Sequence, residues 1–218
     1  MQEVAFSLTS FLIAAFAFVF GAVKLFRKKK PMYLQILTCA AGCFAIEQLS
    51  ALVNLWCNVT AAVSIGMLGI FGCNFFLLSA NFGTLDKIVD DGKDSKKAKV
   101  IAILAPVVMA VLAVFAFLAW KEKDLFGAVM WLLMLLPALP ATYFNFKHIL
   151  LPMDPFEFLR ATKPCNIAAL VFCLLTAGYV ICSASAGILI CGIFSVAMSL
   201  SMLGMTLGAV KGARKWGI

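Results

Sequence analysis

Seven apolar stretches, each about as long as a membrane is thick, set the terms on which this chain folds. They are residues 5–23, 32–57, 60–82, 100–120, 125–146, 165–182 and 186–210. An α-helix needs about 20 apolar residues to cross a hydrocarbon core. In that solvent only helices and closed barrels satisfy every backbone polar group, and runs of this length read as helices. The expected fold is an all-α integral membrane protein, a seven-transmembrane-helix bundle forming one domain over 1–218. The linkers before the third and seventh runs are short, and a six-span alternative makes one run re-entrant. Charged residues are only 13% of the chain, about half the share in a soluble domain, and they lie between the runs. The longest polar stretches, 84–99 and 147–164, are too short for a soluble domain. A catalytic or DNA-binding head would have to come from another chain.

Charge placement gives a direction. With the N-terminus outside and the C-terminus cytoplasmic, 16 of the 18 basic residues face the cytoplasm, leaving Lys121 and Lys123 outside. The opposite orientation reverses the ratio, so the positive-inside rule selects N-out, C-in. The net charge of +8 is explained by orientation in the lipid bilayer and not by nucleic acid. The first run follows acidic Glu3 and precedes its basic cluster, which reads as a retained span, not a cleavable signal. Trp56 and Trp120 are expected as outer interfacial anchors, and Tyr33, Tyr143 and Trp216 as inner ones. Asn58-Val59-Thr60 is a glycosylation sequon on the expected outer face.

The stretch AIEQLSALVN, residues 45–54, places Glu47 near the middle of the second run. Cysteine and tyrosine aside, Glu47 is the one ionisable group well inside any span. Lys24 lies at an end, where it can snorkel to the interface. At 100° per residue, Ala40, Cys43, Ser50 and Asn54 share the face of Glu47. That face is expected to point into the bundle, because lipid penalises a charge by several kcal/mol (about 2.5–3.5 on insertion scales). Counting about 1.5 Å per residue from each boundary puts Tyr179, Ser195, Ser199 and the Pro137 kink at its depth. Asn74 falls about one turn nearer the cytoplasm. With no cation at that level, the carboxyl is expected to carry its proton. It is read either as a structural acid or as a protonatable site on a solute pathway, the polar stripe through Ser50 and Asn54 favouring the pathway.

Other features are less specific. Pro137 and Pro140 break the fifth run and free carbonyls, which kinks a helix or lines a site. Arg27–Pro31 and Arg160–Pro164 share an Arg-x-x-Lys-Pro pattern before the second and sixth runs, as parallel repeats would. Gly204, Gly208 and Gly212 recur every fourth residue, a spacing that suits bundle packing or a homodimer. Residues 84–99 read as a solvated connector and 147–164 as an interfacial segment; both are candidate surfaces for a cytoplasmic protein partner.

Cys39, Cys43, Glu47 and Cys73 could be drawn together as a soft-metal set, but no histidine joins them and cysteines are plentiful in the spans. Cys57 and Cys182 fall at the outer ends as a candidate disulfide. His148, the one histidine, is expected in solvent, with Asp154 and Glu157 nearby. No metal and no cofactor is expected, and no hydrolase or phosphate-loop motif occurs. The last run offers no lysine before Lys211, which argues against a retinal protein. These features together read as a small-solute or ion transporter of the bacterial inner membrane, with Glu47 coupling protons or cations. The alternative is a non-transporting sensor or accessory subunit acting through its loops, with a membrane-embedded enzyme the least supported.

Overall fold

The computed structural model describes residues 2–26, 31–57, 65–85, 95–151 and 158–215. Among these the chain is helical throughout apart from short turns, with no strands. Helices α1 (Gln2–Leu25) and α2 (Met32–Cys57) are continuous, and α3 (Ile65–Leu78) runs on into a π-helical segment, Ser79–Leu85. Helices α4 (Ser95–Ala102) and α5 (Leu104–Lys121) make one interrupted rod. So do α6 (Leu125–Leu135) and α7 (Ala138–Leu150). Helices α8 (Phe158–Ser185) and α9 (Ile188–Lys215) complete the bundle.

Six units among the described residues are long and apolar enough to cross a membrane. They are Gln2–Leu25, Met32–Cys57, Lys96–Lys121, Leu125–Leu150, Ala161–Ser185 and Ile188–Ala213. The described part of the expected third span, Gly66–Phe82, is a shorter apolar helix, and the sequon at 58–60 lies outside the described residues. Exposure is distributed as lipid requires. Leu12, Phe16, Val19, Val107, Val111 and Val114 are exposed on the rim, while Ser10, Glu47, Gln48, Asn74, Asn145 and Thr176 are buried. A water-soluble fold sorts these residue types the other way. The chain is a polytopic, all-α integral membrane protein.

Close contacts set the direction of each helix. Gly42 faces Phe18 and Gly21 faces Thr38, which makes α1 and α2 antiparallel. Gly69 lies on Cys43 and Glu47, and the Gly66 N–H donates to Ser50 Oγ (3.2 Å), so α3 returns along α2. Gly192 meets Phe6 and Gly21 meets Thr206, placing α9 parallel to α1. Gly178 meets Phe194 and Gly212 meets Ala161, so α8 runs against α9. The bundle therefore has a Glu3 end, shared by Trp56, Trp120 and Ile188, and a Tyr33 end, shared by Leu25, His148 and Lys211. Packing runs round a closed ring: α1, α2, α3, the α6–α7 rod, the α4–α5 rod, α8, α9 and back to α1.

The interruptions have proline causes. Pro106 has no N–H for the Ala102 carbonyl, and the regular helix is broken at Ile103, which keeps helical dihedrals. Pro137 and Pro140 orphan the carbonyls of Leu133 and Leu136. Leu136 N donates to the first (3.3 Å) and Leu139 N to the second (3.2 Å), which tightens the turn between α6 and α7. Asp124 caps α6 by accepting from Phe126 N (3.0 Å). Pro164 lies inside α8, whereas Pro31 precedes α2, so the two Arg-x-x-Lys-Pro segments are not equivalent in the fold.

Several anchors behave differently from expectation. Trp56 is 82% exposed, as an interfacial ring would be. Trp120 instead donates Nε1–H to the Val180 carbonyl (2.9 Å) and packs near Trp131, tying α5 to α8. Tyr33 is buried and donates to Asn166 Oδ1 (3.3 Å), because the first turn of α2 faces α8. Tyr143 is half-buried against Phe144, and Trp216 lies outside the described residues. Gly208 and Gly212 are turned to Cys165 and Ala161 of α8, which leaves Gly204 as the outward-facing member of the expected dimer stripe. All eight cysteines, Cys57 and Cys182 among them, are free thiols.

Candidate functional site: a cavity that ends on Glu47

A cavity of about 320 Å³ enters the bundle from the Glu3 end between α1, α2, α8 and α9. Each helix contributes one stripe at helical spacing: Glu3, Phe6 and Ser7 from α1, and Glu47, Ala51 and Leu55 from α2. Tyr179 and Ser183 come from α8, and Ile188, Cys191, Gly192 and Ser195 from α9. Gly192 is required where it stands, since a Cβ there would lie 2.6 Å from the Phe6 ring. Glu3 is exposed at the mouth, while Glu47 is only 6% exposed. Ser10, level with Ser195 and Gln48, is seven residues beyond Glu3, so the cavity reaches about 10 Å into the bundle.

Polar side chains hold the floor. Gln48 Nε2 donates to Glu47 Oε2, and Gln48 Oε1 accepts from Ser195 Oγ (2.9 Å). Ser195 Oγ also lies 3.0 Å from Ser10 Oγ. The chain Glu47–Gln48–Ser195–Ser10 thus crosses three helices, and each member is fixed by the next. Behind Glu47 the backbone of α3 comes close: a Cβ on Gly69 would lie 2.7 Å from the Cys43 carbonyl and 2.8 Å from Glu47 Cβ. The Glu47 backbone is pressed against α3, and its carboxyl is left to the opposite flank, where the cavity is. Among the described residues the lining holds two carboxyls and no lysine, arginine or histidine.

Three of the expected residues, Glu47, Tyr179 and Ser195, meet in this cavity. Ser50 does not join them, because its hydroxyl accepts from Gly66 N on the α3 side. Asn54 is half-buried and likewise absent from the lining, so the cavity stripe on α2 is Glu47–Ala51–Leu55, not Glu47–Ser50–Asn54. Asn74 serves the proline break, donating to the Met134 carbonyl (3.4 Å) and accepting from Cys173 Sγ (3.9 Å). Pro137 is buried at that break and Pro140 is exposed; neither reaches the cavity. Ser199 is buried one turn below Ser195, bonded to its carbonyl (3.0 Å). Gln48, Ser10, Ser183 and Glu3 do not stand out as site residues in the sequence. A signal for Gln48 is present, a second polar residue beside Glu47, but the helix wheel places it 100° away.

A second polar cluster lies at the Tyr33 end. His148, expected in solvent, is fully buried, with Nδ1 2.9 Å from Asn81 Oδ1. Asn81 Nδ2 donates to Asn145 Oδ1 (3.0 Å), and Asn145 Nδ2 to the Ala141 carbonyl (2.8 Å). Asn81 belongs to the π-helical segment, whose wider turn shifts the register that carries it to α7. Asp154 and Glu157 lie outside the described residues, as do 86–94 and 152–157 of the two candidate partner surfaces. Replacing His148 by alanine strands Asn81 Oδ1 in the core. The expected cost is about 1–3 kcal/mol, read as a lower thermal midpoint in detergent, while His148→Gln should recover part of it.

The site and fold together define a polytopic membrane protein with an acid-floored cavity at one end. The chain matches no protein-family model, no curated protein and no solved structure.

Proposed function

We propose that this chain is a small-solute carrier, and that Glu47 is the group at which a proton or cation is exchanged. The observation that carries the reading is the cavity itself, which begins at exposed Glu3 and stops on a buried carboxyl held by Gln48. A structural acid has no need of a cavity. A carrier needs one that water and solute enter. Intramembrane carboxylates facing such a space are typical of proton and ion pathways.

In this reading seven helices cross the membrane, the third comprising the Gly66–Phe82 helix, with the N-terminus outside. The support is that Lys24, Lys96, Lys97, Lys99, Lys147, Lys163 and Lys211 gather at the Tyr33 end, and Lys121 and Lys123 at the Glu3 end. The positive-inside rule then turns the cavity mouth outward, across what we take to be a bacterial inner membrane.

The test is labelling of Glu47→Cys by a membrane-impermeant thiol reagent added to each side. The background should lack Cys39, Cys43, Cys57, Cys182 and Cys191, the five cysteines that are not buried. Labelling from the side that bears Lys121 is the expected result. Protection from both sides in a folded protein would make Glu47 a structural acid. Loops 84–99 and 147–164 would then become the place to look for a sensor's partner.

A further inference from the structure

We propose that the ligand of this cavity is a small organic ammonium ion, its charge at Glu47 and its hydrocarbon against Phe6, Leu55 and Ile188. The assignment rests on the carrier reading for the transport of that ion, though not for its binding.

Charge selects the sign. Among the described residues the lining carries Glu3 at the mouth and Glu47 at the floor, with no basic side chain to receive an anion. Glu47 is 6% exposed, and its one hydrogen bond among the described residues is from Gln48 to Oε2. The other oxygen takes no donor from the described residues and is open to the cavity that Glu47 lines, so it is available to a ligand. In a confined site of low dielectric a carboxylate attracts a cation more strongly than it does in water. An ammonium group brings both the charge and the N–H that such an oxygen accepts.

The neighbours present acceptors as well. Ser195 Oγ lies 2.9 Å from Gln48 Oε1, an atom that can only accept, and 3.0 Å from Ser10 Oγ. With its proton on Gln48 and Ser10 donating to it, one lone pair of Ser195 is left to accept from a ligand. Phe6 on α1 and Tyr179 on α8 also line the cavity, and aromatic rings are the side chains to which organic cations are drawn.

Volume selects the class. The cavity, about 320 Å³, is far larger than the ~10–15 Å³ that admits a single water. A bare sodium or potassium ion needs a close shell of oxygens and would leave Phe6, Leu55, Ile188 and Gly192 without function. The volume lies at the lower end of ligand pockets, about 300–1,000 Å³. An ammonium carrying one ring or a short alkyl chain satisfies the acid floor and the apolar walls together. The same carboxyl then holds either a proton or the ammonium, never both, and that competition is a means of exchange.

Calorimetric titration of the purified protein in lipid nanodiscs tests this, with benzylammonium, butylammonium, benzyl alcohol, benzoate and sodium chloride as probes. The two ammonium ions should bind saturably, with the alcohol, benzoate and sodium at least roughly tenfold weaker. Glu47→Gln should weaken ammonium binding roughly 10- to 100-fold. Ala51→Leu, which fills the cavity one turn above an intact Glu47, should weaken it comparably. A thermal midpoint for each variant shows that it is folded.

Equal binding of benzyl alcohol, no saturable ammonium binding, or wild-type affinity in both variants would overturn the proposal. Labelling at position 47 without selective ammonium binding sinks the ammonium class and spares the carrier reading. Selective binding with no flux in vesicles supports the ammonium class and sinks the carrier.

Discussion

Gly69→Leu should prevent α2 and α3 from packing and leave little folded protein to purify. A Cβ at position 69 meets the Cys43 carbonyl at 2.7 Å, Glu47 Cβ at 2.8 Å and Glu47 N at 3.0 Å. Two of those three atoms are backbone, so no rotamer change relieves the overlap and the helices must separate. Close approach through a glycine is a principal way helices associate in lipid, where the hydrophobic effect does not drive them together. Overpacking of this kind costs about 1–3 kcal/mol for one added methyl, and leucine adds three more carbons. The measurement is the monodisperse fraction on size exclusion and the thermal midpoint, with Gly69→Ala intermediate. Gly187→Ala is the control, since a Cβ there meets nothing within 4 Å. A Gly69→Leu protein as stable as wild type would show that α3 does not pack as closely at this position.

Glu47→Gln is expected to give the opposite phenotype, a folded protein that no longer couples. Glutamine keeps the shape of the acid, and its amide oxygen still accepts from Gln48 Nε2, so the chain to Ser195 and Ser10 persists. What is lost is the proton that the acid takes up and releases. In vesicles loaded with a pH-sensitive dye, adding benzylammonium to the wild type should move protons, and the variant should respond as protein-free vesicles do. Its thermal midpoint should stay near that of the wild type. A loss of stability as large as that of Gly69→Leu would instead make Glu47 a structural acid. The contrast between the two variants separates the residue that shapes the site from the one that acts in it.

The architecture was largely legible, because in a bilayer the length of an apolar run is nearly a structural statement. Six runs appear as helices of crossing length, and the third, 60–82, is described as the shorter helix Gly66–Phe82. Breaks were legible where proline forced them. Pro137 and Pro140 end α6 and begin α7, although the carbonyls they free, of Leu133 and Leu136, find local partners in Leu136 N and Leu139 N and do not line a pathway. Glu47 was legible too, as a lone carboxyl in a medium that penalises it.

What the sequence by itself determined is that the chain is built for lipid, that its apolar runs form helices, and that one acid lies deep in α2. Which way that acid looks was decided only by tertiary structure. An amphipathic helix in water announces its buried face by period. In α2 apolar side chains surround the axis, because lipid accepts them on one side and packing on the other. Rotation was therefore set by contacts remote in sequence: Gly69 pressing on Cys43 and Glu47, Ser50 taken by Gly66, and Gln48 reaching Ser195. The same holds for His148, whose burial depends on a π-helical turn that brings in Asn81 from 67 residues away. Helix existence is a local property of composition, whereas helix rotation is a pairwise property of packed surfaces.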